Sequence, residues 1–374
     1  MKVLQVLPAL DAGGVERTTV EVADALVSAG HAAHVASEGG RLERELRALG
    51  ATLHTLPLAT KNPVRWRANS QKLLALIAEH GIDLVHARSR APAHAARAAA
   101  RAARGGAGIP FVTTYHGIYN EGLPGKRRYN SVMASGDLVI ANSAFTREHI
   151  VRTHGTDPAR IRLIPRAVDL ARFDPSRVSE DLRGEWGVGP EATVWVLPGR
   201  LSEWKGQKVA IRALAHAPSA RLVLVGDAQG RRDYVRSLRE LAHRLGVASR
   251  LLLRPHSEDM PRVLASADIV ISASTDPEAF GRVAVEAQAM GVPVVATAHG
   301  GALETVEDGV TGALVPPGDA EALARACAAV LARPFDARYA RERVVRLYSD
   351  VALKKAVLGV YSELVAPNPS VGES

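Results

Sequence analysis

The chain has 374 residues, 47% hydrophobic and 23% charged, with a formal net charge of +8. That composition excludes a disordered or fibrous chain, and the length suits two domains at roughly 100–200 residues each. A lone cysteine, Cys327, excludes an intrachain disulfide and suits a reducing compartment such as cytoplasm.

In chain order, "KVLQVLPAL" reads as a buried strand and "GVERTTVEVADALVSAG" as an amphipathic helix ending at Gly30. The apolar start is too short for a leader and runs straight into a Gly-Gly turn, so a first strand is the better reading. "AAHVAS", "ATLHTLPL", "IDLVHAR", "IPFVTTYHG", "DLVIANS" and "IRLIPRAV" read as further strands, with helices between them. Apolar strands separated by helices predict a parallel sheet covered on both faces. A breaker-rich stretch holding Pro175 and Pro190 then marks a domain boundary at about 170–190. The pattern restarts with "TVWVLPGRL", "ARLVLVGDA", "RLLLRPH", "DIVISAS", "PVVATAHGG" and "GALVPP" as strands. Helices follow over 319–332 and 336–348, and the tail "DVALKKAVLGVYSELV" is an amphipathic helix. The expected fold is α/β: two doubly wound parallel-sheet domains, 1–175 and 190–348. No apolar run approaches the roughly 20 residues needed to cross a bilayer, so a soluble or peripherally attached protein is expected.

Ligands of such sheets sit beyond the carboxyl ends of the strands, on the loops that lead into helices. With two domains, the natural site is the cleft between them. On the first such loop, Gly13 and Gly14 precede a helix start, an arrangement that binds anions through free N–H groups. No G-x-G-x-x-G is present, so the dinucleotide fingerprint is absent. His116, His86 and Asn142 fall at other strand ends; Ser143 beside Asn142 reads equally well as a helix cap. In "LPGRLSEWKGQK", Arg200 and Lys205 are two cations between Gly199 and Gly206, able to converge on a diphosphate. In "STDPEAFGRVAVEAQAMG", Glu278 lies before a helix starting near Gly281 and Arg282, and Glu286 lies inside it. The helix start suits phosphate, and carboxylates suit sugar diols. An N-terminal acid favoured by the helix dipole, plus a solvated glutamate, would read the same way.

The ordered set GGVE, TYHG, ANS, IPRAVDLARF, GRLSEWKGQ, VGD, PEAFGRVAVEAQAMGVPVVAT, GGALETV and DGVTGALVPPGD runs from about residue 13 to 319. It resembles the family 4 glycosyltransferases, retaining enzymes of the GT-B type, including those that build bacterial lipopolysaccharide and other surface polysaccharides. The resemblance implies two Rossmann-like domains facing each other across a cleft, with the tail helix, about 350–366, joining the first. It implies hexosyl transfer from a UDP- or GDP-sugar to a glycan or lipid-linked acceptor, with no cofactor and no metal. Glu278 would hold the donor sugar, Glu286 the ribose, and Arg200 and Lys205 the diphosphate. Gly13, Gly14, Phe280, Gly281, Arg282 and Val283 would surround the phosphates, and Arg254 would lie near the base. His116 would orient the sugar and stabilise charge, making His116, Glu278, Arg200 and Lys205 the catalytic set. Glu16, His86, Arg88, Tyr115 and Asn142 would face the acceptor. Two departures stand out: Ala279 where the family often has Gly, and Arg166 with Ala167 where Asn-Gly is usual.

The charge is uneven: residues 1–180 hold 24 Lys/Arg against 16 Asp/Glu, whereas 181–374 hold 23 of each. The excess, including Lys126, Arg127, Arg128, Arg97, Arg101 and Arg104, suits an anionic partner such as a cytoplasmic membrane face. An Arg-rich solvated surface is the alternative. Aromatics are scarce and no nucleic-acid motif occurs, so no nucleic-acid partner is expected. A nucleotide-sugar epimerase of the same fold and a silent sugar-nucleotide binder remain the competing functions.

Overall fold

The structure, a computed structural model, describes residues 1–11, 14–119 and 121–365. The chain divides into two compact units, Met1–Arg166 with Val351–Ser374, and Ala167–Asp350.

The first unit holds seven parallel strands: β1 (Lys2–Val6), β2 (Ala32–Ser37), β3 (Thr52–Thr55), β4 (Leu84–Ala87), β5 (Phe111–Tyr115), β6 (Leu138–Ala141) and β7 (Ile161–Leu163). Their order is β3-β2-β1-β4-β5-β6-β7, so the winding reverses where β1 lies between β2 and β4. Val3 pairs with both Ala33 and Leu84 there. The helix Arg90–Ala102 shows why this sequence packs so closely: Ala91, Ala95, Ala96, Ala99 and Ala100 are buried, while Arg97 and Arg101 ride on other faces. A stripe of methyl groups at helical spacing lets the backbone approach the sheet. The helix Pro63–His80 begins where the Asn62 side chain accepts from Val64 N and ends at Gly81, whose φ of 62° a glycine tolerates. The helix Asp350–Leu364 returns to this unit and buries Leu353, Val357, Val360 and Tyr361.

Three histidines meet at one edge of this sheet. His34 Nδ1 and His54 Nε2 are 3.1 Å apart, and the His80 ring centre is 5.1 and 4.9 Å from theirs. Burial, then the fields of His54, His80 and Lys2, push the pKa of His34 down to about 4. A histidine depressed in the fold takes up its proton more readily when unfolded. Its stabilising contribution is therefore complete above about pH 6.5 and is lost as pH falls toward 4. His34→Gln should flatten the fall in stability between pH 7.5 and 5 by up to about 2 kcal/mol. Urea midpoints at several pH values measure this; parallel curves for both proteins would refute it.

The second unit holds six parallel strands: β8 (Thr193–Pro198), β9 (Ala220–Val225), β10 (Leu251–Arg254), β11 (Ile269–Ser272), β12 (Val294–Thr297) and β13 (Gly312–Val315). The order β10-β9-β8-β11-β12-β13 places its reversal between β8 and β11. Side chains alternate across the sheet: Val194 and Val196 enter one core layer, Trp195 and Leu197 the other. The stretch expected to be a linker differs from that reading. Phe173, Trp186 and Val188 are buried in this unit's core, so the division falls between Arg166 and Ala167. Large apolar groups separated by prolines and charges carry no period, yet each fills a place under the sheet.

Candidate active site

In the second unit, three loops at strand carboxyl ends are tied together by their backbones. The turn after β8 runs through Gly199, Arg200 and Lys205 to Gly206, which has φ 73°. A Cβ on Gly206 would stand 1.7 Å from the Ala273 carbonyl oxygen, so the turn lies directly on the end of β11. Thr275 N donates to Trp204 O at 2.7 Å, and Gly301 N donates to Glu278 O at 2.8 Å. His299 Nε2 lies 2.8 Å from Ser274 O.

This arrangement brings Lys205 and Glu278 together: Nζ donates to Oε1 at 2.8 Å, with the two side chains only 13% and 19% exposed. Ser274 Oγ donates to the same oxygen. Gly281, at φ 86°, opens the helix Arg282–Ala289 with no side-chain cap. The first N–H groups of a helix have no partner in the previous turn, so this start is a place for negative charge. Glu286 is 8% exposed and receives Arg282 Nη2 at 2.8 Å. Burial raises its pKa, opposed by Arg282 and Arg172. The Phe280 ring is in the core, edge-on to Tyr348 at 5.5 Å, so its side chain is committed to packing. Val283 packs half-buried against the same core. Arg200 lies on the turn after β8, and Arg254 ends the edge strand β10, where its carbonyl accepts from Gly226 N at 3.1 Å.

In the first unit, His116 follows β5. Burial, then Arg166, Arg88 and His86, push its pKa well below the ordinary histidine value. The ring is therefore neutral, and its buried Nε2 has no partner. The His116 carbonyl accepts from Asn142 Nδ2 and from Arg166 Nη2, each at 3.1 Å. Arg166, which departs from the usual family residue, thus braces the histidine loop.

Three residues expected to face an acceptor are interior supports. His86 is fully buried, with Tyr361 Oη 2.6 Å from Nδ1 and Thr114 Oγ1 2.7 Å from Nε2. Tyr115 is fully buried with its hydroxyl 3.2 Å from His154 Nε2. Asn142 is 2% exposed, and its Oδ1 accepts from Thr146 Oγ1 at 2.8 Å. With their polar atoms already bonded, they hold strand ends in place. Arg88 is different. It is 1% exposed; Nη1 donates to Gln5 Oε1 at 3.3 Å, while Nε and Nη2 have no partner. Glu16 is half-buried on the first turns of the helix Gly14–Ser28. Gly13 lies outside the described residues, and Gly14 starts that helix. Sequence reading missed Ser274, although the hydroxyl-bearing "STD" before Glu278 was its signal.

Two doubly wound sheets, with a cationic turn, an acidic partner and an uncapped helix start at the strand ends of the second, define a glycosyltransferase of the GT-B type. Residues 12–172 match the family described as "Glycosyltransferase Family 4", and residues 178–345 match "Glycosyl transferases group 1". The chain belongs to this glycosyltransferase family. It is similar to a glycosyltransferase from Rickettsia africae ESF-5, with 33% identity and a TM-score of 0.87 over 98% of this chain and 99% of that one. It is also similar to Anabaena Alr3699/HepE in complex with UDP, with 29% identity and a TM-score of 0.84 over 97% and 100% of the two chains. A curated relative, the D-inositol 3-phosphate glycosyltransferase of Xylanimonas cellulosilytica, is 37% identical over 254 residues, 64% of this chain and 60% of the relative. Its Mycobacterium sp. (strain JLS) counterpart matches over 42% of its length, so the chain spans about half the length of these curated relatives.

Proposed function

We propose that this chain moves a hexosyl group from a nucleotide diphosphate sugar to an acceptor hydroxyl with retained anomeric configuration. The observation that carries this reading is the Lys205–Glu278 pair beside the Gly281 helix start. A diphosphate would lie against Arg200, Lys205 and the helix-end N–H groups, with the sugar hydroxyls on Glu278 and the ribose on Glu286. Arg254 would lie toward the base. Binding of UDP and of UDP-glucose by the Anabaena relative favours a UDP-sugar. The bond from the sugar C1 to the diphosphate oxygen breaks, and a bond to the acceptor oxygen forms on the same face. The acceptor proton passes to the departing phosphate. The cations stabilise that leaving group as its charge grows, so turnover needs no divalent ion. Neutral His116 would hold the sugar through Nε2. Nucleotide release from a panel of UDP- and GDP-sugars, with EDTA present, tests the reading. No release from any donor would defeat it; a free, altered sugar nucleotide would show an epimerase; binding without turnover would show a silent binder.

The acceptor is proposed to be an anionic glycan or lipid-linked sugar, as in lipopolysaccharide or other surface-polysaccharide assembly. The buried, partly unpartnered Arg88 supports a negative acceptor group near the first unit's strand ends. A phosphorylated acceptor is also what the curated relatives' names describe.

Peripheral attachment to an anionic membrane belongs to the same proposal. Among the described residues no helix is long and apolar enough to cross a membrane. Trp66 stacks on His94 at 4.2 Å and His94 on Tyr129 at 5.1 Å, so the starts of the helices Pro63–His80 and Lys126–Asn130 lie near each other. There Val64 (79% exposed) and Leu123 (58%) stand among exposed Lys61, Arg65, Arg67 and Arg128, with Lys126 half-buried. Apolar side chains within a basic patch suit an acidic lipid surface. The protein should float with vesicles containing phosphatidylglycerol, and Arg65→Glu/Arg67→Glu should reduce flotation at least fivefold. Equal recovery with neutral vesicles would remove the membrane from the reading.

A further inference from the structure

The second unit carries a second concave site that the donor assignment does not use. A cavity of about 750 Å³ opens between the turn after β8 and the loop after β9, lined by Ser202, Trp204, Arg231, Arg232, Tyr234 and Arg236. The loops are clamped together: Leu201 N donates to Asp227 O at 3.0 Å, and a Cβ on Gly226 would stand 1.9 Å from Gly199 O. Both carboxylates on the rim already hold cations, Glu203 with Lys208 at 2.8 Å and Asp233 with Arg236 at 3.2 Å. Arg231 is bonded only to neutral oxygens, those of Ala228 and Gln229 at 3.3 and 3.1 Å. Arg232 has no ion pair among the described contacts. An independent sign of a missing partner is Ser202: it is 7% exposed, and its buried hydroxyl has none.

We propose that this cavity binds a phosphorylated sugar, with its phosphate on Arg231 and Arg232 and its ring against the Trp204 indole. Planar guanidinium groups match phosphate oxygens in pairs. The indole supplies a broad apolar surface for a sugar's C–H face, and Ser202 a hydroxyl beside it. The occupant would also be felt at the donor position, a consequence that rests on the reading given under Proposed function. Trp204 lies next to Lys205, whose Nζ is 4.5 Å from the indole centre, and its carbonyl accepts from Thr275 N. Pressure on Trp204 therefore reaches both Lys205 and the segment before Glu278. Two sources share this chemistry, a segment of the acceptor and a free sugar phosphate acting as an effector.

Calorimetric titration of the full chain with glucose 6-phosphate, inorganic phosphate and glucose as probes, in saturating UDP, tests the site. Glucose 6-phosphate should bind at least tenfold more tightly than glucose. Arg231→Ala/Arg232→Ala should weaken it at least tenfold while UDP affinity in its absence stays within twofold. Trp204→Leu should shrink the preference for glucose 6-phosphate over inorganic phosphate at least threefold. Glucose 6-phosphate binding unaltered in the arginine variant, or no tighter than glucose, overturns the proposal. UDP binding is a separate readout, so its failure would strike the donor reading and leave this site standing. With radiolabelled glucose 6-phosphate and a sugar donor, incorporation of label into product marks an acceptor segment. Unchanged label with altered UDP affinity marks an effector.

Discussion

Lys205→Ala should keep its fold and lose two to three orders of magnitude in kcat. The ammonium lies 2.8 Å from Glu278 Oε1 in a place only 13% exposed, where water screens it weakly. As the glycosidic bond breaks, negative charge grows on the diphosphate that Lys205 would face. A group of that kind contributes about 3–4 kcal/mol to transition-state stabilisation, and each 1.4 kcal/mol is about tenfold in rate. The loss should fall chiefly on kcat, because the charge is larger in the transition state than in the bound donor. Glu278 would keep Ser274 as a donor, so the loop should hold its place. Steady-state nucleotide release beside a UDP titration separates the two effects. A variant with kcat within threefold of wild type would show that the leaving group is stabilised elsewhere.

Much of this fold is legible in the sequence, and the reason is local. Runs such as "LVLV" (222–225) are apolar throughout because both faces of β9 are covered, and the turn chemistry after them marks the strand ends. The Arg200–Lys205 turn could be read because its glycines and cations lie within a few residues of one another. What could not be read depends on partners far along the chain. His86, Tyr115 and Asn142 each sit at or near a strand end, where a polar side chain can face a ligand or be roofed over. Tyr361, 275 residues beyond His86, decides that case by bonding its Nδ1. Likewise Arg166 departs from the usual residue, and only the fold shows its guanidinium bracing His116. The supposed linker failed for a related reason: burial of Phe173 and Trp186 depends on a sheet that forms later in the chain.

Gly206→Ala should do more damage than any other single methyl group added to this turn. Its φ of 73° already costs a non-glycine residue about 1–2 kcal/mol. The added Cβ would also stand 1.7 Å from the Ala273 oxygen and 2.5 Å from its carbonyl carbon. Main chain at the end of a central strand cannot retreat as a flexible side chain would. Either the unit absorbs the overlap, losing at least about 3 kcal/mol in all, as overpacking and strain together predict. Or the turn lifts away and takes Lys205 off Glu278, and a displacement of about 1 Å at a catalytic position can cost a hundredfold in rate. Gly246→Ala is the control: its φ is 69°, with nothing within 4 Å of the added carbon. That variant should lose only the backbone share, a shift of about 2–8 °C in melting temperature for a unit of this size, with activity intact. If Gly206→Ala matched Gly246→Ala in both melting temperature and kcat, the close seat of this turn on β11 would not be what positions Lys205.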